Sequence, residues 1–328
     1  MKEARLWTLA LALCAAGCAT VVPPPQPAPH SPEVAELRAA LESAKLGALV
    51  VTPPAPADVD AAVSMSIPQH GSIRTALAYF TTQLKPDIQQ SFSRSAQYRK
   101  LIDKVLDENR LPKALAYLPV IESAYSETMT SRAGARGMWQ IMPETAREYG
   151  LRVDKWIDER ADPDLSTRAA AAYLSDLYHD FHDWPLALAA YNAGARRIHR
   201  ALDETHAKSF WDLLELSAIP KETRGYVPTF FATLIIATDP AAYGFSLTDP
   251  VDPEVKRIDV EGPLSLRAIA KAAKINEASL RELNPVLRKG VVPRGTMVSI
   301  RVPSRSAERI ARVLSHRRTG ERTLTGGM

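Results

Sequence analysis

From Ile73 to about Tyr243, apolar side chains recur three and four residues apart and strand alternation is nearly absent. That period predicts a mainly α domain, here given the bounds 73–248. Leu101, Ile102, Val105 and Leu106 set one helical face. Pro112 suits the first turn of the next helix, which carries Leu115 and Leu118, and Pro119 is expected to bend or end it just before Glu122. Asp164, Ser166 and Thr167 offer N-caps to a helix faced by Ala170, Leu174, Leu177, Tyr178 and Phe181. Trp184 to Ala193 and Phe230 to Ala237 read as two more. After Asp249-Pro250 the period changes. Val255 to Val260 and Met297 to Val302 read as strands, and Leu266 to Lys274 and Glu277 to Leu283 between them as short helices. This βααβ module, over 253–303, has a size that suits binding better than catalysis.

The first residues have a different logic. Lys2 and Arg5 precede the apolar run Leu6 to Leu13 and the small residues Ala15-Ala16-Gly17, which together read as an export signal over 1–17. The run is too short to remain as a membrane-spanning anchor. Ala15-Ala16-Gly17-Cys18 resembles a bacterial lipobox, with Ala15 in place of the usual Leu, and the resemblance implies cleavage before Cys18 and its lipidation. No later stretch is long and apolar enough to span a membrane. Residues 18–72 read as a linker: Val21 to His30 (VVPPPQPAPH) favours an extended spacer, Val34, Leu37 and Leu41 a short helix, and Pro53, Pro54 and Pro56 a second loose stretch. The tail over 304–328 is basic, with Arg305, Arg309, Arg312, Arg317, Arg318 and Arg322. It reads as solvated, or as a helix on Ile310, Val313 and Leu314.

Composition narrows the chemistry. The formal net charge of the 328-residue chain is only +4, which gives no nucleic-acid footprint. The two cysteines, Cys14 and Cys18, both lie in the leader region, so the body can hold no disulfide, thiol nucleophile or thiolate metal site. His179 and His182 share a helix end, but no carboxylate set completes a metal site around them. No metal or organic cofactor is implied.

Glu122 ends the apolar run Leu115 to Ile121. A carboxyl in apolar surroundings holds its proton to higher pH, as a general acid requires. Most glycosidases pair two carboxylates. Of the other acids nearby (Glu127, Asp154, Asp158, Asp162, Asp164), none stands out as a nucleophile, and Asp158, Arg160 and Asp162 read as a structural charge and capping cluster. After Glu122 come Ser131, a turn on Gly134 and Gly137, and Met138-Trp139-Gln140. Two later segments are Ala189-Ala190-Tyr191-Asn192-Ala193-Gly194 and Glu222-Thr223-Arg224-Gly225-Tyr226-Val227-Pro228. Taken singly, the first is a helix C-cap and the second a turn with a surface tyrosine.

In this order the three segments resemble the membrane-bound lytic murein transglycosylases of the D type, whose catalytic domain is helical and goose-lysozyme-like. The resemblance covers Ile73 to Tyr243 and includes Leu111-Pro112, Tyr149-Gly150-Leu151 and Asp158-Glu159-Arg160. It implies that Glu122 is the catalytic acid and base, and that Ser131, Met138, Gln140, Tyr191, Asn192 and Tyr226 contact substrate. Ser126-Glu127 and Met129 depart from the family pattern. The implied reaction cleaves the β-1,4 bond between N-acetylmuramic acid and N-acetylglucosamine, with the muramic C6 hydroxyl as internal nucleophile and a 1,6-anhydro end as product. The C-terminal module is similar to a degenerate LysM domain through Ile269-Ala270, Leu280 to Pro285 and Ile300 to Pro303, although Gly262-Pro263-Leu264-Ser265-Leu266 replaces its usual opening. The module is expected to add only a tethered contact with glycan. The implied partners are peptidoglycan glycan strands and, through the lipid, a membrane. The implied location is the periplasmic side of the cell envelope, at the outer membrane. A hydrolytic lysozyme-type muramidase and a non-catalytic peptidoglycan-binding protein are the alternatives.

Overall fold

The computed structural model describes residues 65–252 and 254–315. The export signal, Cys18, most of the Pro-rich linker and the last part of the basic tail lie outside the described residues. Among the described residues no helix is long and apolar enough to cross a membrane.

The first body is mainly helical. Its elements are α1 (Gly71–Thr82), α2 (Lys85–Ser95), α3 (Arg99–Glu108), a 3-10 segment (Lys113–Tyr117), α4 (Leu118–Glu122), α5 (Pro143–Glu148), α6 (Pro163–Phe181), α7 (Trp184–Ala193), α8 (Ala195–Thr205), α9 (Phe210–Glu215) and α10 (Lys221–Thr238). α10 packs on α1 and α7, and α7 packs on α6 and α8. Leu174, Ala187, Leu188, Phe230 and Phe231 are fully buried in the body's apolar cluster.

Three boundaries differ from expectation, each for a physical reason. Pro119 lies in the first turn of α4 and does not end the segment before it. A proline's missing N–H costs nothing where a first-turn donor would go unpaired. Asp162, and not the acid or hydroxyls after it, caps α6: its side chain accepts from the backbone N–H groups of Asp164 and Leu165. α10 begins at Lys221 and carries Pro228 inside it, so the expected turn at Glu222 to Pro228 is helix. Burial of Tyr226, Val227, Phe230 and Phe231 around that proline outweighs its cost of about 3 kcal/mol.

The second body is the small sheet-bearing module. β1 (Val255–Glu261) pairs antiparallel with β4 (Met297–Pro303), with Ile258 opposite Ile300. Between them lie β2 (Leu264–Ser265), α11 (Leu266–Ala272), α12 (Glu277–Glu282) and β3 (Val291–Val292). The pairing of β2 with β3 is too short to leave an alternating signature in sequence. Leu266, Ile269, Leu280, Ile300 and Val302 fill the core. Beyond β4 the chain is helical over 307–315, and Ile310 is fully buried in that core. The described part of the basic tail therefore closes the module and is not a solvated extension.

The bodies share a seam. Ile157 of the helical body is buried in the module's core and bridges to Leu287. The Asp158 N–H donates to the Val286 carbonyl at 2.9 Å, and the Arg288 N–H to the Trp156 carbonyl at 2.9 Å. Arg257 grips Asp162 with two hydrogen bonds of 2.9 and 2.7 Å.

Close to this seam, residues 130–141 fold back as a hairpin, with bridges from Arg136 to Thr130 and to Ile141. Gly134 and Gly137 both hold positive φ, 92° and 83°. A Cβ on Gly137 would lie 1.9 Å from the Arg160 carbonyl oxygen, whereas one on Gly134 meets nothing within 4 Å. Gly134→Ala should cost only backbone strain, about 1–3 kcal/mol. Gly137→Ala adds a backbone clash and should destabilise clearly more. Urea unfolding of the two variants checks this, and equal losses would contradict the close approach.

Candidate active site

Glu122 is the last residue of α4, a single turn set between Pro119 and Ser123. Ala124 and Tyr125 then adopt the left-handed region, φ 51° and 59°, and reverse the chain. Local packing sustains that strain. The Tyr125 hydroxyl is buried and donates to the Ala116 carbonyl, and its ring stacks on Tyr98 at 6.0 Å. Ser123 Oγ donates to the Met138 carbonyl at 2.8 Å, which ties the acid's turn to the hairpin.

The residues singled out in the sequence come together from distant parts of the chain, in unequal roles. The Tyr226 hydroxyl donates to Glu122 Oε1. The Tyr191 hydroxyl donates to the Trp139 carbonyl at 2.7 Å, fastening α7 to the hairpin. Asn192 Oδ1 accepts from the Thr223 hydroxyl at 2.8 Å, fastening α7 to α10. Ser131 Oγ accepts from the Ala135 N–H at 2.9 Å and shapes the turn. Met138 is 1% exposed, so its side chain belongs to the core and its carbonyl serves Ser123. Gln140, at φ 47°, donates to the Met129 and Gly137 carbonyls. Its buried Oε1 has no partner among the described residues.

Burial pushes the Glu122 carboxyl up to about 8. The Tyr226 hydrogen bond opposes the rise by stabilising the anion, and the Glu222 charge adds to it. Glu122 is nonetheless only half-buried, so its proton can be delivered to a ligand. Tyr191 and Tyr226 are held well above the ordinary tyrosine range, first by burial and then by the Glu122 charge. Both are therefore neutral donors at ordinary pH. The site is a protonated acid beside a hydroxyl able to steady the carboxylate it becomes.

The other acids are committed elsewhere. Asp154 accepts from the Trp156 and Ile157 N–H groups and from Arg152, which hold it at about 2 despite partial burial. Asp158 is buried and clasped by Arg160 at 2.9 Å. Asp162 caps α6 and Asp164 pairs with Arg168. Glu127 is taken by Arg301 and by the Tyr98 hydroxyl.

Two residues without an assigned role in the sequence reading belong to the site. Tyr173 lies between Tyr149 and Tyr191, with ring centroids 5.3 and 5.2 Å apart, and extends an aromatic row towards the acid. Glu222 lies 3.5 Å from Asn192 Nδ2 and acts electrostatically on Glu122. Glu222 opens the segment Glu222 to Pro228, but nothing in that segment marks it as the charge felt by Glu122.

Residues 101–214 match the transglycosylase SLT domain, and residues 254–317 match the LysM-like domain of lytic transglycosylase MltD. Membrane-bound lytic murein transglycosylase D of Escherichia coli is 29% identical over 259 residues, 77% of this chain and 56% of that protein. The chain thus spans little more than half the length of that relative. Membrane-bound lytic murein transglycosylase F of Maricaulis maris is 35% identical over 137 residues, 37% of this chain and 28% of its own. The solved structure of lytic transglycosylase Slt from Pseudomonas aeruginosa aligns over 48% of this chain and 26% of its own, at 28% identity and a TM-score of 0.38. The chain is homologous to membrane-bound lytic murein transglycosylase D and carries an SLT transglycosylase domain followed by an MltD-type LysM-like domain.

Proposed function

We propose that this protein cleaves the β-1,4 bond between N-acetylmuramic acid and N-acetylglucosamine in peptidoglycan and leaves 1,6-anhydro ends. The single observation that carries the reading is Glu122, its carboxyl pushed up to about 8 by burial and hydrogen-bonded by Tyr226, in a chain with an SLT domain. Glu122 gives its proton to the glycosidic oxygen and is left as a carboxylate. That carboxylate, steadied by the Tyr226 hydroxyl, takes the proton of the muramic C6 hydroxyl as its oxygen closes on C1. The bond to the leaving sugar breaks, the internal ether forms, and Glu122 regains a proton without water.

Asn192 is the proposed polar contact to the sugars, and Gln140 braces the hairpin beneath them through the Met129 and Gly137 carbonyls. Ser131, Met138 and Tyr191 act by shaping the hairpin and its attachment. A hydrolytic muramidase needs a second carboxylate to activate water. Asp154, Asp158, Asp162 and Asp164 are all engaged in hydrogen bonds or ion pairs, which leaves Glu222, the charge felt by Glu122, as the carboxylate that the product analysis below tests. Cys18 is the proposed lipid attachment point, holding the protein at the periplasmic face of the outer membrane. Cys18→Ala should move it from the membrane to the soluble fraction. Retention after a salt wash would count against the anchor.

Glu122→Gln keeps the shape and loses the proton, so turnover should fall about a hundredfold or more. Mass spectrometry of products from purified sacculi reads both activity and chemistry. Reducing ends from the wild-type protein would mean hydrolysis, and near-normal turnover by folded Glu122→Gln would remove the central claim.

The acid works only while protonated, so kcat/KM should fall as pH rises through about 8. Tyr226→Phe removes a bond that favours the anion and should move this alkaline limb to higher pH. Glu222→Gln removes a neighbouring negative charge and should move it lower. A pH–rate profile of the free enzyme's kcat/KM checks both signs, and shifts of the same sign in both variants would contradict the assignment.

A further inference from the structure

We propose that the C-terminal module positions the catalytic loop, with Arg301 and Arg288 as the positioning residues, a role that rests on the transglycosylase reading above. This replaces the expectation of a merely tethered contact. A tethered unit meets its neighbour through a sparse, polar surface. Here Ile157 of the helical body lies 1% exposed inside the module's own core.

The first grip falls on the loop that follows the acid. Glu127 comes just after the reversal at Ala124 and Tyr125. Arg301 holds both of its carboxylate oxygens, with Nη1 to Oε1 at 2.8 Å, and the Tyr98 hydroxyl donates to Oε1 at 3.0 Å. Tyr98 in turn stacks on Tyr125. Arg301 and Glu127 are 12% and 14% exposed, so the pair is largely desolvated. The guanidinium rises from a fixed base on β4. Arg301 Nε donates to the Leu283 carbonyl, and its backbone N–H to Asn284 Oδ1, both at 2.7 Å.

The second grip falls on the hairpin. Arg288 Nη2 donates to Asp158 Oδ2 at 2.5 Å. Asp158 orients Arg160 through two bonds of 2.9 Å. Arg160 Nη1 then donates to the carbonyls of Gly134 at 2.7 Å and Ile141 at 2.9 Å, on the two arms of the hairpin that bears Gln140. The module thus holds the segment 127–141 at its start and, through Asp158 and Arg160, along both arms. Removing one partner of a desolvated pair leaves the other charge buried and unpaired, so the loop must shift. Small displacements of a catalytic group are costly in rate.

The test uses full-length variants and a short soluble peptidoglycan glycan that cannot span both bodies. Arg301→Ala should lower kcat by about tenfold or more with KM little changed. Its alkaline limb should move to lower pH, because a loosened turn exposes Glu122. Arg301→Lys keeps the charge and should recover part of both effects. Should Arg301→Ala not fold, the lysine variant carries the comparison, with a smaller change of the same sign. Hydrogen exchange gives a readout independent of activity. The amides of Ser131 and Gly137, bonded to the Ala135 and Met129 carbonyls, should exchange faster in Arg301→Ala and in Arg288→Ala. Unchanged exchange, with wild-type kcat and an unmoved limb, would overturn the proposal, as would a loss confined to sacculus binding. Failure of the wild-type protein to cleave any glycan would instead sink the transglycosylase reading, and exchange would still decide the positioning role.

Discussion

Arg160 is 3% exposed, and a buried guanidinium must be both neutralised and fully hydrogen-bonded. Asp158 supplies the charge, and the carbonyls of Gly134 and Ile141 take donors that would otherwise be stranded. That one requirement fixes several things together. The hairpin must bring two carbonyls to the same guanidinium. Residue 137 must be glycine, because the Arg160 backbone passes where a side chain would begin. The seam must also keep Asp158 in place. Burial raises the Asp158 carboxyl, but Arg160, Arg288 and Arg136 on the same carboxylate outweigh it and hold Asp158 below its ordinary value. A buried ion pair is weak evidence for stability as such. Here its effect is to specify where the hairpin sits relative to Glu122.

What the sequence revealed and what it hid follow from the range of each interaction. Asp158, Arg160 and Asp162 alternate just before a helix start, and their capping and pairing are local, so a structural role was legible there. Glu122 stood out because a carboxylate closing an apolar run has a direct electrostatic meaning. Period alone separated the helical body from the sheet-bearing module. Pro119 and Pro228 were misjudged for the opposite reason. Proline rules are local, and at both positions the position within a helix or the burial around it decided the outcome. Arg301 carried no signal at all, since its partner lies 174 residues away and charged residues on strands are commonplace. Tyr173 was read as neither core nor site, because its role comes from a row of rings that only tertiary packing assembles.

The half-buried Glu122 has a further consequence, for folding. Burial pushes its carboxyl from the ordinary value near 4.5, kept in the unfolded chain, up to about 8 in the folded one. Below about 4.5 both states hold the proton, and the group does not bias folding. Between the two values the folded protein keeps a proton that the unfolded chain gives up, so stability declines as pH rises through that window. Above about 8 the folded protein must accommodate a charge in an apolar surround. The native state is therefore strained most where the acid is most easily lost, and the resting molecule holds its reactivity as forgone stability.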